Sequence, residues 1–169
     1  IVHYGATNAA YNRGVRIRGN EVRMANYMGG YIAYNYNPME ILNNSFNVQG
    51  QNYGYYGCNF YSNQSSNATI PHLFNGNSIS NFSYYGVYMY LPMATSAADT
   101  MQVYNNTLNS APNGYTLSQY GFYVSLPASA KANFYHNTVV INTGNTSTSS
   151  TGFYSTGSAN ILLKNNVFA

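Results

Sequence analysis

Only three carboxylates occur in the chain: Glu21, Glu40 and Asp99. Acid–base cleavage of a glycosidic bond needs two carboxyl groups converging on it, one as acid and the other as base or nucleophile. Neither sequence spacing nor repeat position brings two of these three together. A calcium site needs several oxygen ligands, most of them carboxylates, and the chain has no Asp cluster. His3, His72 and His136 share no metal-ligand spacing, and no Ser-His-Asp order, phosphate loop or zinc pattern is present. Cys58 is the sole cysteine, which excludes an intrachain disulfide, and it falls among inward strand residues as a small core hydrophobe. These residues lean away from an enzyme, and no metal or cofactor is expected.

Four of the six basic residues, Arg13, Arg16, Arg18 and Arg23, crowd one N-terminal stretch. Such a patch can mark nucleic acid or acidic polysaccharide. Glu21 and Glu40 stand close by and no basic run follows, so a solvated, partly paired face is the better reading. Arg16 and Glu40 hold equivalent repeat positions, which predicts an ion pair between neighbouring coils. Nucleic acid is not expected as a partner, because a basic groove is missing.

Tyrosine is the most suggestive residue type, with 20 copies. Tyr85-Gly-Val-Tyr-Met-Tyr-Leu-Pro92 and Tyr120-Gly-Phe-Tyr-Val-Ser-Leu-Pro127 match closely. Thr151-Gly-Phe-Tyr-Ser155 is a shorter relative, and weaker versions surround Gly30 and Gly57. Strand alternation points Val87, Phe122 and Phe153 inward and Tyr88, Tyr123 and Tyr154 outward, so the three outward rings should form a column. Tyr104 and Tyr135 should form a second one. A tyrosine ring has an apolar face and a polar tip, suited to carbohydrate. The same stacking also supports a solenoid with no ligand at all.

What positions these rings is a repeat. The pattern apolar-x-x-Asn-x-apolar occurs six times, centred on Asn20, Asn44, Asn77, Asn106, Asn137 and Asn165. The steps are 24, 33, 29, 31 and 28 residues. The apolar residues at −3 and +2 should face inward, often joined by one at +4 (Met24, Val48 and Ile141). Parity breaks between −3 and +2, so a bend must sit there. Asn accepts the left-handed conformation that a bend requires, and the residues preceding it are also bend-tolerant. Stacked at about 4.8 Å, the Asn side chains can hydrogen-bond along the axis as a ladder. His72 aligns with the inward residues Val15 and Met39, which predicts a buried histidine rather than a ligand. Variable spacing suits a solenoid whose insertions leave at the turns. The expected fold is all-β: one right-handed parallel β-helix domain over residues 1–169, with five to six coils.

Composition agrees. Hydrophobic residues are 45% and charged residues 5%, against about 25% charged in an ordinary soluble domain. The surface should therefore be neutral and hydrogen-bonding. Within these residues neither a transmembrane run nor a signal-peptide pattern is visible, and any targeting signal is expected outside them. The chain opens at Ile1 and ends on the apolar run Ile161–Ala169, so a piece of a longer parent chain is expected.

With its six Asn motifs and strands of the Val-Arg-Ile-Arg-Gly-Asn-Glu-Val type, the chain resembles the right-handed β-helix repeats of the pectin-lyase-like superfamily, from about Val15 to Phe168. The resemblance implies the fold. For function it implies a choice among polysaccharide lyases, glycoside hydrolases, epimerases, tailspikes and non-catalytic surface proteins. The Asn/Tyr/Thr-rich, charge-poor style also resembles secreted and cell-surface repeat proteins of the Bacteroidetes type. By that likeness Asp99-Thr100-Met101 resembles an O-glycosylation sequon, whereas Asn63-Gln-Ser65 and Asn67-Ala-Thr69 arise by chance in such a composition. The function expected is a non-catalytic extracellular or cell-surface stalk or adhesin segment, contacting glycans through Tyr88, Tyr123, Tyr154, Tyr104 and Tyr135. The alternatives are a polysaccharide-acting lyase or hydrolase with catalytic residues partly outside the segment, and a spacer with no ligand.

Overall fold

A computed structural model describes residues 1–4, 15–35, 38–48, 55–61, 70–90, 100–111, 118–142, 149–157 and 159–169. Arg13, Asp99 and the two Asn-X-Ser/Thr sequons lie outside the described residues, as does the His3 side chain.

Among the described residues, eighteen strands form three six-stranded sheets. The first sheet stacks β1 (Val2–Tyr4), β4 (Met28–Ala33), β7 (Tyr56–Tyr61), β10 (Tyr85–Tyr90), β13 (Tyr120–Ser125) and β16 (Thr151–Thr156). The second stacks β2 (Val15–Arg18), β5 (Met39–Leu42), β8 (His72–Asn75), β11 (Thr100–Tyr104), β14 (Lys131–Tyr135) and β17 (Asn160–Lys164). The third stacks β3 (Glu21–Ala25), β6 (Ser45–Val48), β9 (Ser78–Phe82), β12 (Thr107–Ser110), β15 (Thr138–Val140) and β18 (Val167–Phe168). Each strand pairs in parallel with the strand three places along the chain, which is the topology of a parallel β-solenoid. Each circuit runs second sheet, third sheet, first sheet.

Inside, columns of apolar residues fill the space between the sheets. Phe46, Phe60, Phe74, Phe82, Phe122 and Phe134 have no accessible surface. Edge-to-face contacts such as Phe60–Phe74, with ring centroids 5.4 Å apart, bridge the first and second sheets. Cys58 is buried among them, and desolvation pushes its thiol up to about 12. It is a core side chain, as its strand position implied.

The corner between the second and third sheets is always two residues long, and it is where the Asn motif sits. The left-handed residue there is not the motif Asn but the one before it: Gly19, Asn43, Gly76, Asn105, His136 and Asn165 all have φ between 54° and 65°. The Asn that follows turns inward. Asn44, Asn77, Asn106 and Asn137 are all buried. Each Asn accepts, at Oδ1, from the backbone N–H and the side-chain Nδ2 of the Asn one rung earlier; between Asn77 and Asn106 these bonds are 2.9 and 3.1 Å. Its own Nδ2 also donates to a backbone carbonyl of the earlier rung, as Asn77 does to Ile41 at 2.8 Å. An interior Asn thus uses both donors and both acceptor sites of its amide.

Two expectations need correction here. The sixth member of the ladder is Asn166, not Asn165: Asn166 Oδ1 accepts from Asn137 N and Nδ2 at 2.9 Å each, and its Nδ2 donates to Phe134 O. Asn165 is the left-handed residue of that corner. The inward residues of the last rung are accordingly Leu163, above Phe134, and Phe168, above Val139. The second correction is Met24. It has φ of 55° and is 62% exposed, while Ala25 takes the place beside Val48. A bulge in β3 shifts the parity there, and Asn81 does the same in β9, so that Phe82 points inward.

Candidate glycan-contact surface

All seven charged residues within described strands lie on the second and third sheets: Arg16, Arg18, Glu40, Lys131, Lys164, Glu21 and Arg23. The first sheet has none. The N-terminal cations are largely paired. Arg16 and Glu40 are register partners 3.5 Å apart, and Arg18 also hydrogen-bonds Glu40. Arg23 donates twice to Glu21, at 2.7 and 2.8 Å, which holds the Glu21 carboxyl below its ordinary range. Both described carboxylates are therefore engaged by arginine.

The first sheet presents tyrosines. Tyr88, Tyr123 and Tyr154 occupy one register position in β10, β13 and β16, as alternation predicted. Tyr88 and Tyr123 stack with centroids 5.1 Å apart and planes 18° apart, and Tyr123–Tyr154 is 5.2 Å and 34°. In the two preceding rungs the same position holds Asn59 and then Tyr31. Rings stacked this way cover one another's faces and turn their edges and hydroxyls to solvent. Tyr154, at 41% exposed, keeps the most open surface of the three.

A further column is not apparent from alternation. Tyr56, Tyr85 and Tyr120 stack with centroids 5.2 and 5.5 Å apart. Strict alternation would put Tyr85 inward beside Val87, yet its ring meets Tyr88 at 5.0 Å and Tyr123 at 5.2 Å on the outer face. The intervening glycine allows this break in parity. A Cβ on Gly86 would stand 2.6 Å from the carbonyl oxygen of Gly121 and 2.8 Å from Leu108, so only glycine permits the close approach. The same position is glycine in the preceding rungs too, where it is Gly29 rather than Gly30 that aligns with Gly57. The Tyr-Gly-apolar-Tyr spacing carried this signal. Tyr61 and Tyr90 add a further stacked pair at 5.3 Å. Burial raises the phenols: Tyr56 is pushed up to about 12, and Tyr85 and Tyr88 shift the same way, with neighbouring phenols adding to the effect.

Tyr104 and Tyr135, the other expected pair, are register partners on the second sheet. They line an open cleft of about 470 Å³ with Gln102, His136, Leu162, Lys164 and Asn165. These residues come from three successive rungs, so the cleft is invisible in any one repeat. The structure thus separates the five singled-out tyrosines into two sites on adjacent sheets. His72 is buried on the inside of β8. Its Nδ1 accepts from Met39 N–H at 3.1 Å, while Nε2 has no partner among the described residues. Desolvation lowers its pKa to about 4.

Among the described residues no group of three His, Cys, Asp or Glu side chains gathers in one place, and no helix is long and apolar enough to cross a membrane. No protein-family model, curated protein or solved structure matches the chain.

Proposed function

We propose that this chain is a non-catalytic segment of a secreted or cell-surface β-helix protein, of stalk or adhesin type, which contacts glycans through its tyrosine face. One observation carries the reading: the first sheet is uncharged throughout its strands and faces outward with stacked tyrosines. An uncharged, hydroxyl-tipped surface has little means of holding an ionic ligand. It can exchange hydrogen bonds and ring-edge contacts with a neutral polyhydroxylated one. Because the rings cover each other's faces, contact runs mainly through hydroxyls and edges, with Tyr154 offering the freest ring. The cleft beside Tyr104 and Tyr135 is a second contact face. The remainder of a longer parent chain is a further expected partner.

The alternative is a polysaccharide lyase or glycoside hydrolase of the pectin-lyase-like superfamily, with catalytic residues partly elsewhere. It draws support from the parallel solenoid and the cleft. Against it, Glu21 and Glu40 are both tied to arginines.

The test is a glycan-array screen of the wild type beside two triple variants at Tyr88, Tyr123 and Tyr154, one to Ala and one to Phe, with circular dichroism to confirm folding. The Phe triple keeps the stack and removes only the hydroxyls. Binding by the wild type that is lost in both folded variants supports the proposal. Binding unchanged in both, or no binding by the wild type, refutes it and favours a spacer.

A further inference from the structure

Tyrosines from four strands of the first sheet and the turns ahead of them form a continuous chain of rings. Tyr27, ahead of β4, lies 5.4 Å centroid to centroid from Tyr55, ahead of β7. Tyr55 is 6.4 Å from Tyr84, Tyr84 is 6.0 Å from Tyr120, and Tyr120 is 5.4 Å from Tyr154. The Tyr88–Tyr123–Tyr154 column runs alongside and joins this line through Tyr120–Tyr123 at 5.5 Å. At its two ends, Tyr27 is 51% and Tyr154 is 41% exposed, and the rings between them are half-buried or buried. The chain has no tryptophan, and its one cysteine is buried. Phenol is therefore the side chain from which a one-electron oxidant most readily takes an electron.

Electron exchange between phenols in near contact is fast compared with diffusion of radicals between proteins. A phenol gives up an electron together with its hydroxyl proton, and that proton needs an acceptor. The rings between Tyr27 and Tyr154 are less exposed than these two, which hand the proton to solvent most readily.

We propose that the tyrosine sheet is a path for oxidising equivalents, which passes one-electron oxidation from ring to ring between Tyr27 and Tyr154. In each internal step the phenoxyl radical takes an electron and a proton and returns to phenol, while the next phenol loses both. At the exposed end the net change is loss of one electron to the external oxidant and one proton to water. The oxidant is an external one-electron acceptor, such as a peroxidase intermediate or an excited-state metal complex. This inference does not depend on glycan binding.

The test injects oxidation at one end. Asn26 is exposed, and Asn26→Cys takes a thiol-reactive ruthenium polypyridyl label while Cys58 stays buried. Light with a sacrificial electron acceptor generates the oxidant beside Tyr27, and a radical trap with peptide mass spectrometry reads where the radical settles. In this background Tyr154 should carry a substantial share of adducts. The further changes Tyr120→Phe and Tyr123→Phe keep the rings stacked but remove both oxidisable links to Tyr154. They should cut its share at least fivefold and leave adducts at Tyr27. An equal Tyr154 share with the links removed overturns the proposal. So does the same share from free, unattached complex at the same concentration, or adducts confined to Tyr27.

Discussion

Asn77 and Tyr123 each sit mid-column, one residue type repeated at one register position, and the two columns end in different states. Asn77 is 1% exposed, and its amide makes four hydrogen bonds counting both oxygen lone-pair sites. Nothing on that side chain is left for a ligand, so its whole effect is on folding. Tyr123 touches rings on both sides yet keeps its hydroxyl edge on the outer face. Repetition alone therefore does not mark a binding site. What marks one is capacity left over after the column has been built.

The sharpest way to break that contrast is to cut the amide column in its middle. Asn77→Leu removes the acceptor of Asn44 N–H and Nδ2 and the donor to Ile41 O. Stranding three buried polar groups at roughly 1–3 kcal/mol each, with partial relaxation, gives a loss on the order of 4 kcal/mol. Urea unfolding followed by circular dichroism measures it. Asn20→Leu, at the exposed start of the same column, should lose no more than about 1 kcal/mol. Equal losses at both positions would deny that the bonds are cooperative along the axis.

His72 is a buried polar group that lacks what the amide column has. Its ordinary pKa of 6.5 falls to about 4 in the folded state through desolvation, so between these values the unfolded chain binds a proton that the folded chain does not. Its contribution is present above pH 6.5, is lost as pH falls towards 4, and does not change further below that. The span corresponds to about 3 kcal/mol. In His72→Met, with Met39 and Met101 as its register neighbours, the dependence of stability on pH over this window should flatten. A slope unchanged by the substitution would place the titrating group elsewhere.

The same contrast explains what could be read from the sequence. The solenoid was legible because the Asn motif fixes a two-residue corner and both its flanking strands. Five of its six centres fall where the pattern puts them. The sixth does not, because Leu162-Leu-Lys-Asn165-Asn-Val-Phe satisfies the pattern in two frames, and only pairing with β14 and β15 selects Asn166. Met24 was misplaced because a bulge leaves no local signature in a strand of ordinary residues. The Tyr88 column followed from alternation. The Tyr85 column did not, because the parity break at Gly86 depends on Gly121 and Leu108, one rung and one sheet away. The cleft at Tyr104 and Tyr135 needs three rungs to exist.

The smallest expected effect separates stacking from hydroxyl chemistry on the tyrosine face. Tyr123→Ala loses its ring pairs with Tyr85, Tyr88, Tyr120 and Tyr154; at the low end of about 0.5–1.5 kcal/mol each for half-exposed rings, a loss of about 2 kcal/mol is expected. Tyr123→Phe keeps all four pairs and should stay within about 0.5 kcal/mol of the wild type. Thermal unfolding of the two variants measures the difference. If Phe were as damaging as Ala, the Tyr123 hydroxyl would be part of the folding framework, as the Asn77 amide is. The tyrosine face would then have no more spare capacity than the amide column. If Phe is silent in folding and alters only binding, hydroxyl and ring have separate tasks, and the outer column differs from the inner one in kind.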